Sequence, residues 1–287
     1  SQGSEGFAFA VDGDDNVVIA GRVKGKLSST ATGGDFDSFV SKYAADGQEV
    51  FTRQAGALVE DGATALTVGA DGAIYVGGYT RARNGSGATH GGGTDAYVTK
   101  LSAAGTLVYN RQFGGTGDEK IASLAIGSDG NLVASSVEGT NAVVRKFTTA
   151  DATTAALWQV DLGALSGGAL GGLAVDGNNV YVAGGTGNAA LTAGGQASAT
   201  NAHSGGLDGF VLRIDDQGAS ATAATVPYLG SATVDSINGI AVSGGAALPV
   251  RFVALPDLLG ALGFFGCATF FVATIRLVVA PVDGFNV

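Results

Sequence analysis

Short runs in which apolar and polar residues alternate recur along the chain, and no stretch repeats its apolar positions at helical spacing. One apolar triplet returns five times, as Phe9-Ala10-Val11, Leu66-Thr67-Val68, Leu124-Ala125-Ile126, Leu173-Ala174-Val175 and Ile240-Ala241-Val242. An Asp-Gly pair follows the first four copies, at Asp12-Gly13, Asp71-Gly72, Asp129-Gly130 and Asp176-Gly177. Asp-Gly between apolar runs predicts a hairpin, because glycine accepts a positive φ at little steric cost. A second strand then follows at residues 16–21, 73–78, 131–136 and 179–184.

After a loop of variable length comes the clearest copy, a third strand: Asp37-Ser-Phe-Val-Ser-Lys-Tyr43, Asp95-Ala-Tyr-Val-Thr-Lys-Leu101, Asn141-Ala-Val-Val-Arg-Lys-Phe147 and Asp208-Gly-Phe-Val-Leu-Arg-Ile214. Thr269-Phe-Phe-Val-Ala-Thr-Ile275 reads as a degenerate fifth. A fourth strand is expected to carry an aromatic in register, at Phe51, Tyr109, Trp158 and Tyr228. Four-stranded units at this period predict an all-β chain, a five-bladed β-propeller of four-stranded antiparallel blades. The blades fall at about 4–56, 57–115, 116–164, 165–231 and 232–287, the last one atypical, within a single domain 1–287. Phe39, Tyr97 and Phe210 are expected to fill the gaps between blades, so their loss should destabilise strongly.

The unit Gly92-Gly-Thr-Asp95-Ala-Tyr-Val-Thr-Lys100, repeated as Gly205-Gly-Leu-Asp208-Gly-Phe-Val-Leu-Arg213, resembles the bacterial SBBP β-propeller repeat. Tyr109-Asn-Arg-Gln-Phe-Gly-Gly115 and the Asp-Gly hairpin after it resemble the rest of that repeat, over about residues 4–245. The resemblance implies a scaffold without catalytic residues, in exported, surface-linked or flagellum-associated bacterial proteins.

Composition narrows the partners. The 287 residues are 46% hydrophobic and 14% charged, enough apolar material for a core, so disorder is excluded. Lys and Arg number 15 against 25 Asp and Glu, a net charge of −10, which argues against nucleic acid. The one cysteine, Cys267, cannot form an internal disulfide and reads as a small buried apolar group. Little lysine, no methionine and much Gly, Ser, Thr and Ala point to an exported bacterial protein, extracellular or at the cell surface. Residues 258–275 carry no charge. They read as a buried last blade in preference to a membrane span, with misassigned or frame-shifted sequence as a third reading.

Candidate chemistry is sparse. Asp37, Asp95, Asn141 and Asp208 open the third strands after glycine-rich loops and are expected to anchor those loops by accepting backbone N–H groups. Asp12, Asp14 and Asn16 have a spacing that could gather oxygens on Ca²⁺, but Val17 and Val23 stand where an EF-hand needs glycine and glutamate, so a hairpin turn is the better reading. No other cofactor is expected. His90 and His203 each precede a third-strand Asp by five residues and read as exposed loop histidines, with no third zinc ligand at suitable spacing. Gly185-Thr-Gly187 opens a weak dinucleotide-like match without a following helix.

The leading expectation is a non-enzymatic module that binds protein or glycan through loops on one face, with Tyr79, Arg81, Arg83, His90 and His203 as the contact groups. A structural subunit of a surface appendage or flagellum-associated filament, formed by self-assembly, is one alternative. A glycosidase-like enzyme is another, drawing on Glu60, Asp61, Asp118, Glu119 and Asp235 around a central funnel.

Overall fold

A computed structural model describes residues 3–27, 35–56, 59–83, 90–189, 191, 203–224, 228–230, 234–243 and 246–253. The degenerate strand 269–275, the uncharged run 258–275 and Cys267 lie outside the described residues. Among those described, every regular element is a β-strand.

Four sheets repeat one plan. Sheet one is β1 (Ser4–Val11), β2 (Val17–Lys24), β3 (Phe36–Tyr43) and β4 (Glu49–Ala55); sheet two is β5 (Asp61–Val68), β6 (Ile74–Thr80), β7 (Asp95–Leu101) and β8 (Leu107–Phe113). Sheet three is β9 (Glu119–Ile126), β10 (Leu132–Glu138), β11 (Asn141–Phe147) and β12 (Trp158–Ala164). Sheet four is β13 (Ala169–Asp176), β14 (Asn179–Thr186) and β15 (Asp208–Asp216), with an outer edge made of β16 (Ala221–Ala223) and β17 (Tyr228–Leu229). A fifth sheet contributes the pair β18 (Asp235–Ser243) and β19 (Ala246–Val253). All pairings are antiparallel between consecutive strands, apart from β17, which returns to β15.

The first strands β1, β5, β9, β13 and β18 follow one another side by side through the molecule. Each carries a β-bulge at the same register position, at Phe7, Thr64, Ala122, Gly171 and Asn238. An extra residue there bends the strand and raises its twist. Apolar clusters fill the seams between sheets. Val18, Ala20 and Val40 of sheet one meet Ala63, Leu66, Ile74 and Val76 of sheet two, and related clusters join two to three, three to four and four to five.

Three expectations need correction. In sheet one the turn equivalent to Asp71-Gly72 and Asp129-Gly130 is Asp14-Asp15, not Asp12-Gly13. Asp12 N–H bonds Asn16 O just as Gly69 N–H bonds Ala73 O and Gly127 N–H bonds Asn131 O. The positive φ therefore falls on Asp15 (61°) where Gly72 and Gly130 hold 75° and 76°. Second, Phe51, Tyr109 and Trp158 do share a register opposite Lys42, Lys100 and Lys146, but Tyr228 stands opposite Phe210, the position of Gln54 and Gln112 in sheets one and two. The split outer edge of sheet four moves it there. Third, Phe39 is only half-buried, whereas Tyr97 and Phe210 are buried as expected, each across a glycine of the neighbouring second strand, Gly78 and Gly184, where the missing side chain leaves room for the ring.

Candidate functional site

The loop-bearing end collects the groups singled out in the sequence, because the second strands finish and the first and third strands begin there. Asp95 and Asp208 are buried at that end. Asp95 accepts the Gly91 N–H (3.2 Å) and Asp208 the Ser204 N–H (2.6 Å), each donor four residues upstream in the loop. Glutamine side chains on the outer strands complete the arrangement. Gln112 Nε2 donates to Asp95 (2.8 Å) and to Ala82 O (2.9 Å); Gln54 Nε2 donates to Asp37 (2.7 Å) and Gly25 O (2.6 Å). Both glutamines sit in an Arg-Gln-x-Gly stretch, residues 53–56 and 111–114, a signal that sequence reasoning passed over. In sheet four Tyr228 takes the role, its hydroxyl donating to Asn188 O and accepting Leu191 N–H, both at 2.9 Å.

Asn141 departs from the anchoring role expected of it. Its amide donates to both oxygens of Asp161 on β12 (3.2 and 3.1 Å), because only Gly139 and Thr140 separate β10 from β11 and there is no loop to hold. Donor and acceptor have changed strands relative to the Asp–Gln pairs. Beside this short turn, Gly139, Thr140, Ser166 and Gly168 help line a cavity of about 350 Å³.

A second acid belongs to most seams. Asp61, Glu119 and Asp235 open β5, β9 and β18 at one register position and are buried. Glu119 N–H bonds Thr94 O and Asp235 N–H bonds Leu207 O, each at 2.7 Å, which places these acids beside Asp95 and Asp208. A Cβ added to Gly114 would stand 2.5 Å from both Asp95 and Glu119 oxygens, so glycine is required for the two carboxylates to approach there. Gly168 holds the acid position in sheet four, the same seam in which Asn141 replaces the aspartate.

Among the described residues the predicted contact groups keep different partners. Tyr79 donates its hydroxyl to Glu60 (2.8 Å) and accepts from Arg22 (3.2 Å), while Arg22 also bridges Glu5 and Glu60 and lies over the Phe36 ring at 4.4 Å. Burial and the Glu60 hydrogen bond push the Tyr79 hydroxyl above the usual tyrosine range, against the pull of Arg22. Arg81 and Arg83 are exposed, and their side chains have no partner among the described residues. His90 Nδ1 is 3.2 Å from Asp95 and half-buried. His203 corrects the expectation of an exposed ring: its Nε2 donates to Thr186 O (3.1 Å), Nδ1 is 3.7 Å from Asp208, and its edge meets Tyr228. Of the acids weighed for a funnel, Asp118 accepts Thr94 N–H (2.9 Å) and Glu119 accepts Gly115 N–H (2.9 Å). Among the described residues no three His, Cys, Asp or Glu side chains gather to hold a metal ion.

The other end is held by the lysine of the third-strand motif, which sequence reasoning did not single out. Lys42 Nζ reaches Ala103 O (3.3 Å) and Lys100 Nζ reaches Thr149 O (2.9 Å), each in the turn between third and fourth strands of the next sheet, and Lys146 Nζ reaches Asp216 (2.5 Å) at the end of the next sheet's third strand. Lys42 also pairs with Asp12 (2.7 Å). The remaining bonds on Asp12 come from Asp14 N–H, Asn16 N–H and the Asn16 amide, so a calcium ion at Asp12, Asp14 and Asn16 would have to displace the ammonium. Burial opposes ionisation of Asp12, but Lys42 and Asn16 outweigh it and hold the carboxyl well below the usual range. A carboxyl depressed by folding stabilises above its unfolded value of about 4 and loses that contribution as pH falls further. Asp12→Asn is therefore expected to flatten the loss of thermal stability below about pH 4. An unchanged acid limb in melting temperatures measured from pH 2 to 7 would remove this account.

No family model matches the chain. It is 32% identical over 288 residues to the regulatory protein FlaEY of Caulobacter vibrioides, an alignment that takes in 85% of this chain and 29% of that protein. The chain thus spans less than a third of the relative's length. Among solved structures it is similar to a puromycin hydrolase S511A mutant complexed with PGG, with 15% identity over 87% of this chain and 34% of that one and a TM-score of 0.47. It is also similar to Drosophila Plexin A in complex with Semaphorin 1b, with 10% identity over 88% and 51% and a TM-score of 0.46. At these values neither likeness says what this chain does.

Proposed function

We propose that this chain is a five-bladed propeller module of the SBBP-repeat type, part of an exported bacterial protein, and that it binds a protein or glycan through its loop-bearing end without catalysis. The observation that carries the reading is the division of labour at that end. The acids of the seams serve the scaffold, whereas Arg81 and Arg83 stand in solvent on the loop after β6. The loops between second and third strands range from two residues in sheet three to residues 187–207 in sheet four, the variation expected where recognition is grafted on a fixed frame. The relative of 32% identity is named a regulatory protein, and regulation by contact asks for a binding surface.

The glycosidase alternative needs two carboxylates facing one substrate across about 5–10 Å of open space. Glu60, Asp118 and Glu119 are instead bonded to neighbours within their seams, which supports the binding reading over it. The double variant Arg81→Ala/Arg83→Ala should weaken capture of a cognate protein or glycan about tenfold or more, while stability stays within about 0.5 kcal/mol as for other exposed sites. Affinity chromatography from the bacterial surface fraction and a glycan array are the measurements. Binding left intact by the double change would sink the assignment of this face.

A further inference from the structure

Two crossings from one sheet to the next differ in what covers them. Between sheets two and three, Gly91, Gly92 and Gly93 at the end of the loop before β7 lie along the crossing at residues 115–118. A Cβ on Gly91 would stand 2.1 Å from Gly115 O and one on Gly92 2.6 Å from Thr116 O, so only glycine comes this close. Gly93 N–H bonds Gly117 O (3.1 Å), and Thr94 N–H bonds the Asp118 carboxylate (2.9 Å). The glycine run and the crossing are joined main chain to main chain.

Between sheets three and four the crossing is residues 165–168. Sheet three joins β10 to β11 through Gly139 and Thr140 alone, so it has no glycine run to lay there. The cavity of about 350 Å³ takes that place, with Val137, Thr140, Leu165, Ser166 and Gly167 in its lining and no charged residue among them. Its volume falls within the range of roughly 300–1,000 Å³ that ligand clefts occupy. Ser166 precedes Gly168 as Gly117 precedes Glu119, by two residues. Gly117 O is bonded by the glycine run, whereas Ser166 O accepts no hydrogen bond among the described residues, and the N–H groups of Ser166 and Gly167 and the Ser166 hydroxyl donate none. Ser166 also holds a φ of 49°, a left-handed backbone that costs serine energy and is found at ligand clamps.

We propose that this cavity receives an extended glycine-rich segment of a partner protein, laid along residues 165–168 as Gly91, Gly92 and Gly93 are laid along residues 115–118. Main-chain hydrogen bonds supply the affinity, and the closeness of the two backbones excludes side chains and so supplies the specificity. The proposal rests on the reading that the loop-bearing end binds a partner, and adds to Arg81 and Arg83 a site with a different chemistry.

The probe is a free peptide of residues 90–96 with capped ends, titrated into the full chain while backbone amide NMR shifts are followed. The amides of Thr140, Ser166 and Gly167 should move, with a Kd of about 1 mM or tighter. The Gly92→Val peptide should bind about tenfold or more weakly, a comparison that leaves the folded chain untouched. No movement of these amides up to about 10 mM peptide overturns the proposal, and so does equal binding of the valine peptide. Shifts confined to residues 115–118 would mean exchange with the chain's own loop and overturn it as well. A neutral oligosaccharide that moves these amides where the peptide does not would put a glycan in the cavity, and a dimer that the peptide disperses would put a second copy there; either result overturns it. Arg81→Ala/Arg83→Ala should take the peptide as the unsubstituted chain does, and loss of the peptide in that variant places it at the arginines instead. Failure of the peptide beside a loss of partner capture in the double variant removes this proposal alone.

Discussion

Lys146→Met should lower the unfolding free energy by about 3 kcal/mol, the low end of the range for breaking a buried ion pair. Lys146 is almost wholly buried, with Asp129 and Asp216 each 2.5 Å from its ammonium. The low end applies because the loss is partly cushioned. Asp129 is half in solvent, and Asp216 keeps the Trp158 indole N–H and the Gly218 N–H, both at 2.9 Å. Urea melts of the two proteins measure the difference. Adding Asp216→Asn to Lys146→Met removes the stranded charge and should recover part of the loss, as neutral replacements of buried pairs do. A loss under about 1 kcal/mol would mean that the seam between sheets three and four does not depend on this lysine.

The same pair sets a pH window. Burial opposes the charge on Lys146, yet its bonds to Asp129 and Asp216 raise the ammonium above its usual range; Lys146 and Asn131 lower Asp129 against the cost of burial. A raised lysine stabilises below its unfolded value of about 10.4 and fails as pH climbs through the folded one. A lowered aspartate stabilises above about 3.9 and fails as pH drops. Wild-type stability should therefore exceed that of Lys146→Met most between those limits, and the two curves should converge toward either extreme.

The recurrence of a lysine two residues after the third-strand valine, at Lys42, Lys100 and Lys146, was legible in the sequence, but its destination was not. Strand alternation places Val40 and Lys42 on one face and Phe39 on the other. Which neighbour that face meets depends on how consecutive sheets are stacked, and only the seams show the lysine tip on the following turn. The bulges at Phe7, Thr64, Ala122, Gly171 and Asn238 were hidden for a different reason. Five unrelated residue types occupy the position, because a bulge is a property of pairing rather than of a side chain. Asp12-Gly13 misled because the dipeptide is a turn signal wherever it falls. The hydrogen bonds show the chain turning two residues later, with Lys42 holding Asp12 at the strand end. His203 was placed in solvent by its loop, while its partner Asp208 and the Tyr228 ring lie inside, and a long loop can fold one side chain back.

The second large effect is expected at Phe210. Its ring is fully buried in the seam between sheets three and four, where Leu162, Leu191, Leu212 and Tyr228 belong to the same apolar cluster. Gly184 is part of the arrangement, since a Cβ there would stand 2.9 Å from the ring and crowd Ala169 O on the first strand. Phe210→Ala removes the ring and leaves a cavity that the paired strands on both sides cannot collapse, at a cost of about 3–5 kcal/mol. For a chain of this size that is a fall in melting temperature on the order of 10 °C. Phe210→Leu keeps most of the volume and should cost about half as much. The comparison with Gly184→Ala separates packing from room: the alanine adds one carbon and no cavity, and making it again in Phe210→Ala shows how much of its loss comes from the ring, the remainder coming from Ala169 O at 2.4 Å. Calorimetry of the variants decides between these accounts. If Phe210→Ala melted within about 2 °C of wild type, the ring could not be filling the seam.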